Sequence, residues 1–177
     1  LDGYGIAHGL MGLTLMLYKV WEVTRIKKYL ALGESILNEI KDNIHDVESM
    51  SWCRGNVGLA LGLLQIQKIR ELGGENNMMQ EMIDEIHTKI CNSSKMKNDC
   101  ICHGNLSVAE YFIFRYQIFK NKKDLEIATR IVSMVKNQQT FRSLPEMPGF
   151  GIFTGEGGLA YELLRLEKCE EVPTVLC

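Results

Sequence analysis

A Gly-x-x-Gly/Ser turn recurs four times along this chain, each time opening into an apolar stretch, and few folds accommodate such a period. The turns are His8-Gly9-Leu10-Met11-Gly12, Arg54-Gly55-Asn56-Val57-Gly58, His103-Gly104-Asn105-Leu106-Ser107 and Thr154-Gly155-Glu156-Gly157-Gly158. Their lead glycines stand at 9, 55, 104 and 155, giving spacings of 46, 49 and 51 residues. A period of this length marks a repeat architecture, in which each unit buries its apolar face on its neighbours. The stretches behind the turns (13–23, 59–72, 108–119 and 159–167) are rich in Leu, Ala, Ile and Met. They are nearly apolar all round, as buried inner helices are. Between them lie more charged, amphipathic segments at 25–44, 76–91 and 122–138. In the last of these, Leu125, Ala128, Ile131 and Val132 share one helical face. No long run alternates with period two, so the chain is predicted to be all-α. A repeat near 50 residues with alternating inner and outer helices implies a solenoid or a closed α/α toroid.

Two properties of glycine suit such turns: tolerance of positive φ and close approach of backbone to backbone. Crowded helix N-termini also create a positive field that favours thiolates. Tight inter-helix connection, with no chemistry attached, is the simpler reading of the same glycines. What stands beside them bears on the choice. His8 immediately precedes Gly9, Cys53 lies two before Gly55, and the pair Cys102-His103 precedes Gly104. If the turns are equivalent in space, these side chains converge. Two thiolates and one imidazole form a Cys2His set, a catalytic zinc arrangement that leaves a coordination position open. Adjacent Cys102 and His103 would diverge by about 100° in mid-helix, but a helix-leading turn lets both reach one metal. From spacing alone, a buried structural cysteine remains the alternative.

Six cysteines could also pair as three disulfides, but their spacing is not that of a small stapled scaffold. Metal-ligating thiols in a reducing, cytoplasmic setting are the better expectation. The formal net charge of -2 gives no basic field for nucleic acid or an anionic membrane. No apolar stretch is long enough to span a bilayer.

Four segments together resemble the successive signatures of the lanthionine synthetase C-like family. They are Gly5-Ile6-Ala7-His8-Gly9-Leu10-Met11-Gly12, Ser51-Trp52-Cys53-Arg54-Gly55, Cys102-His103-Gly104-Asn105-Leu106 and Gly151-Ile152-Phe153-Thr154-Gly155-Glu156-Gly157-Gly158. The tail Val172-Pro173-Thr174-Val175-Leu176 resembles that of the bifunctional class, where this cyclase follows a dehydratase domain. The resemblance implies an α/α toroid, of which residues 1–177 would be the C-terminal portion, a partial toroid of about four repeats, with the N-terminal repeats missing and the fragment incomplete by itself. It implies Cys53, Cys102 and His103 as ligands of Zn2+ and His8 as an acid/base residue near the metal. The implied reaction is a zinc-dependent cyclisation, adding peptide cysteine thiolates to dehydroalanine or dehydrobutyrine to form thioether rings. Its partners would be a dehydrated precursor peptide and a dehydratase domain on the same parent chain. A non-catalytic relative that binds a thiol such as glutathione, or a protein partner, is the alternative. Some relatives carry Tyr or His where this chain has Arg54, and Arg where it has Ser49.

Other residues read more plainly. Trp52 fits either packing or stacking on a substrate peptide, and Arg54 either substrate contact or solvation. His45 and His87 fall in outer-helix segments and are expected in solvent. Cys100 stands outside the repeated turn and is not expected to bind metal. Met11, Met16 and Met134 fit apolar helix stripes and are expected in the core.

Overall fold

The helices follow the apolar stretches closely. The computed structural model of the protein describes residues 3–71, 77–143 and 149–177. In chain order it contains α1 (Leu10–Thr24), α2 (Lys27–Asn43), a 3-10 turn (Ile44–Asp46), α3 (Asn56–Glu71), α4 (Asn77–Cys91), α5 (Asn105–Phe119), α6 (Lys122–Lys136) and α7 (Gly157–Glu167). No strand occurs among the described residues. The predicted all-α class therefore holds. Leu72 and Asn76, predicted limits of two segments, lie outside the described residues.

The inner helices α1, α3, α5 and α7 each begin two or three residues before their apolar run. In α1 and α5 the lead glycine itself is the N-cap, so the helix opens on the very next residue. Both of these helices also end alike. Arg25 and Lys120, at φ 56° and 54°, take the left-handed conformation. Their N–H groups donate to Trp21 O and Tyr116 O respectively. Each cation lies over an aromatic ring of the last turn, Arg25 over Trp21 at 5.2 Å and Lys120 over Tyr116 at 5.7 Å. These contacts help hold a conformation that ordinarily favours glycine.

The chain divides into two compact units, residues 1–93 with 177 and residues 94–176. In the first, α1 packs on α2 and α3, and α3 packs on α4. Its core centres on Val57, Leu59, Leu61, Leu63, Leu64 and Ile66 of α3, all sealed from water. Burying each such side chain contributes roughly 1.5–3 kcal/mol. In the second unit, α5 packs on α6 and α7, and α6 also touches α7. Every residue of α5 from Asn105 to Phe114 is buried, so this stretch of the helix is hidden on all sides. The amphipathic α6 supplies Ala128, Val132 and Val135 beneath it.

Two helices depart from the all-round burial that was predicted. On α1, Met11 is sealed, but Met16 is 51% exposed and does not belong to the core. Met134 is half-buried. On α7, Leu163 and Leu164 are exposed. Neither α1 nor α7 is enclosed on all sides within its own unit. No helix among the described residues is long and apolar enough to cross a membrane.

Ionisable groups also enter the core of the second unit. Arg165 of α7 donates from Nε and Nη2 to the two carboxylate oxygens of Glu110 on α5, both at 3.0 Å, and both side chains are fully buried. Its Nη1 donates to Val172 O in the tail. One guanidinium then faces two carboxyls, because Glu162 is buried beside it with neither carboxyl oxygen hydrogen-bonded. Burial, followed by the charge of Glu110, pushes the Glu162 carboxyl well above the usual glutamate range, with Arg165 opposing. A neutral Glu162 can donate its proton to the Glu110 carboxylate. The folded state thus holds a proton that the unfolded chain releases in the ordinary carboxyl range. Stability from this source is complete at low pH and declines as pH rises from that range through the raised value. Glu162→Gln is expected to be near neutral at low pH and to flatten the loss of stability as pH rises. Urea midpoints across pH measure this, and an unchanged slope would contradict it.

Candidate metal centre

Each lead glycine sits where the chain curls back over the start of an inner helix. The N–H of the residue after it donates to the carbonyl six residues before it, four times over. The pairs are Leu10 to Gly3 (3.0 Å), Asn56 to Ser49 (2.8 Å), Asn105 to Asn98 (3.0 Å) and Glu156 to Gly149 (3.1 Å). A Cβ added at Gly9, Gly55, Gly104 or Gly155 would fall 2.4, 2.1, 2.6 or 1.7 Å from that same stretch of backbone. The second glycine has the same origin. Cβ atoms at Gly12, Gly58 and Gly158 would lie 2.0, 1.9 and 2.6 Å from the carbonyl oxygens of Ile6, Trp52 and Ile152. In the third turn Ser107 takes this place, and its hydroxyl donates to Gly104 O at 2.7 Å. Close approach is therefore the reason for the glycines. Positive φ is not: Gly9 and Gly104 are extended, at φ -123° and -136°.

The curl fixes the register of the residues that precede each glycine. Two before it stand Ala7, Cys53, Cys102 and Phe153; one before it stand His8, Arg54, His103 and Thr154. The loops are also tied in pairs within each unit. Ala7 N–H donates to Cys53 O at 3.2 Å, and Cys102 N–H donates to Phe153 O at 3.0 Å. Gly5 lets the first loop lie against the second, since its Cβ would meet Arg54 Cα at 2.3 Å and Cys53 O at 2.4 Å. Each cysteine thus has its backbone held by the neighbouring loop, at the N-terminal end of a helix, where negative charge is favoured.

The side chains that result are well separated in role. Cys53 is buried and its thiol approaches Ser51 Oγ at 3.7 Å; that hydroxyl lies 3.0 Å from Ser49 Oγ and accepts from Arg54 N–H. Cys102 and His103 are half-buried. The ligand atoms of Cys53, Cys102 and His103 all lie within 4.8 Å of one another. Two soft sulfurs and one imidazole, with no carboxylate among them, match the donor preference of zinc and its Zn–S and Zn–N bond lengths of about 2.3 and 2.0 Å. The three residues thus form a possible metal-binding group. His8 has the register of His103 but is exposed and is not a member of the group. Arg54 is exposed and Trp52 half-buried on the Cys53 loop. Cys100 is sealed in the core, where burial pushes its thiol up despite nearby backbone N–H groups, and it too stands outside the group. His45 is exposed as expected; His87 is half-buried, with Nε2 3.5 Å from Cys91 Sγ.

Two supports of this centre were not singled out in the sequence. The first is Asn56 and its counterpart Asn105, each directly after a lead glycine. Asn56 Nδ2 donates to Val47 O and Ser49 O; Asn105 Nδ2 donates to Met96 O and Asn98 O. Both pull the residues eight and six before their glycine onto the helix start. The signal was present, since only the two cysteine-bearing turns carry Asn there, against Leu10 and Glu156 in the others. The second is Asp99, five before Gly104, where the other turns have Tyr4, Met50 and Phe150. Its fully buried carboxylate accepts from Arg142 Nε and Nη2 at 2.8 and 2.6 Å, from Arg142 N–H at 3.1 Å and from Asn105 Nδ2 at 2.8 Å. Burial alone would raise this carboxyl, but the bonds from Arg142 and Asn105 together hold it below its ordinary value.

No curated protein matches the chain. A described family does, over almost its whole length and including every turn of the repeat. Matching that family, lanthionine synthetase C-like protein, over residues 2–177, the chain with this Cys-Cys-His group is a member of it.

Proposed function

We propose that this chain is the zinc-binding portion of a lanthipeptide cyclase, which adds cysteine thiols of a dehydrated precursor peptide to dehydroalanine or dehydrobutyrine. The observation that carries the reading is the convergence of two thiols and one imidazole, in a member of a family named for lanthionine synthesis. Cys53, Cys102 and His103 would hold the metal. When bound, zinc supplies a Lewis acid that keeps a substrate thiol ionised near neutral pH, where a free cysteine with a pKa of about 8.5 is largely protonated. The two protein sulfurs temper the positive charge and preserve nucleophilicity in the thiol being activated. Attack on the β-carbon leaves an enolate, which must take a proton at its α-carbon. His8, with the register of His103 on the first turn, is assigned to deliver that proton from its imidazole. Trp52 and Arg54, flanking Cys53, are assigned to contact with the peptide. A dehydratase domain on the same parent chain would supply the substrate, and the cytoplasm would keep the thiols reduced.

The reading is tested with zinc-loaded protein and a dehydrated precursor peptide. Ring closure leaves the peptide's mass unchanged but removes its reactivity toward a thiol-alkylating reagent, so alkylation followed by mass spectrometry reports it. Zinc binding with peptide left fully alkylatable would favour a thiol-binding relative without catalysis. For His8→Ala, zinc content is expected to be retained while ring formation slows on the order of 10²–10⁴-fold, the usual contribution of a general acid. Loss of the metal in that variant would make His8 a ligand instead.

A further inference from the structure

We propose that Asp99 and Arg142 are positioning residues of the metal centre: their ion pair, built on a buried carboxylate, fixes the loop that carries Cys102 and His103. The inference rests on the zinc reading and extends it to two residues outside the Cys-Cys-His group.

Position five before the lead glycine singles out this loop. Tyr4, Met50 and Phe150 occupy it in the other three turns, and only here does a carboxylate stand. Asp99 is not merely buried; it is a junction. Its backbone N–H donates to Arg142 O at 2.8 Å and its carbonyl accepts from Leu106 N–H at 3.2 Å. Its carboxylate takes both arms of the Arg142 guanidinium and the side-chain amide of Asn105. The bonds to Asn105 and Leu106 thus anchor the far end of the loop, and Arg142 anchors it to the segment following α6. Cys102 and His103 lie between these anchor points, at the third and fourth positions after Asp99.

The loop has particular need of such an anchor. Two ligands must be delivered from adjacent residues, so a small twist of the backbone misplaces both at once. The Cys53 loop delivers one ligand and is propped by the hydroxyls of Ser49 and Ser51. A bidentate Arg–carboxylate pair is directional as well as strong, and with the carboxylate fully buried and the guanidinium half-buried it is screened less than a surface pair. Groups that orient metal ligands typically change affinity by about 10–100-fold when removed.

The test is zinc affinity of the full chain, measured by competition with a chromophoric chelator, for wild type, Asp99→Asn, Arg142→Gln and Arg142→Lys. Zinc binding is expected to weaken roughly 10–100-fold in the first two variants. Arg142→Lys should recover part of it, because an ammonium restores charge without the fork. Arg115→Gln is the control. Arg115 pairs with buried Asp124 at 3.3 Å on α5 and α6, so its loss disturbs a comparable pair in the same unit. It should lower the urea midpoint yet leave zinc affinity at the wild-type value. Equal affinity in wild type, Asp99→Asn and Arg142→Gln would overturn the proposal. So would an equal loss in Arg115→Gln, which would mark a general effect of destabilisation. A second readout separates this inference from the zinc reading itself. In metal-free protein, amide hydrogen exchange across 98–106 should accelerate in Arg142→Gln. If wild type binds no zinc, the zinc reading fails, and unchanged exchange would then remove the anchor as well.

Discussion

Serine in place of Cys53 or Cys102, or alanine in place of His103, is expected to reduce bound zinc from about one per chain to near none and to stop ring formation. Serine nearly conserves cysteine's volume, so the sealed site around Cys53 is not hollowed out and the loss reports on ligation. Each ligand atom lies within 4.8 Å of the other two, close enough that removing any one leaves only a pair of donors. A two-donor site competes poorly with water and buffer for zinc. The effect on rate follows from ionisation. Only a few per cent of a thiol with pKa about 8.5 is ionised at pH 7, so losing the metal costs on the order of 10-fold or more before any loss of orientation. Metal content after gel filtration, and thiol alkylation of a dehydrated peptide, measure the two consequences separately. Full zinc content in all three variants would refute the site. Stripping zinc from wild type with a chelator should reproduce the loss of ring formation, and adding zinc back should restore it only where all three ligands are intact.

The second large effect is structural. Arg165→Ala is expected to destabilise the protein by about 3–5 kcal/mol, the usual consequence of leaving a buried charge without its partner. Glu110 and Glu162 would then face one another in the core with no cation between α5 and α7. The tail should loosen as well. Arg165 donates to Val172 O, while Tyr161 of the same helix donates its hydroxyl hydrogen to Pro173 O at 2.6 Å and accepts from Val175 N–H at 3.0 Å. Denaturant unfolding measures the first effect, and faster amide exchange at 174–176 the second. Replacing Arg165, Glu110 and Glu162 together by apolar residues of similar size should recover much of the stability, because no unpaired charge is then left behind. A single Arg165→Ala variant as stable as wild type would show that the pair contributes nothing.

The pattern of glycines, apolar runs and cysteines was enough to anticipate an all-helical repeat, because those signals are local. The lead glycines mark the helix starts, the runs between them mark the inner helices, and the offsets of Cys53, Cys102 and His103 mark equivalent places on the turns. Even the Asn56 and Asn105 ties could have been read, since they set the two cysteine-bearing turns apart from the others. What glycine was needed for could not be read: a residue that tolerates both positive φ and close approach does not announce which one is in use. Only the folded backbone showed that Ser49 O and Gly149 O lie where the Cβ atoms of Gly55 and Gly155 would be. Charge pairing was hidden for a related reason. Asp99 meets Arg142 across 43 residues and Glu110 meets Arg165 across 55. Periodicity shows which face of a helix is apolar, but not which distant side chain will neutralise a carboxylate placed on it. Met16 makes the same point from the other side: its place in an apolar stripe was visible, and whether another helix covered it was a matter of tertiary packing alone.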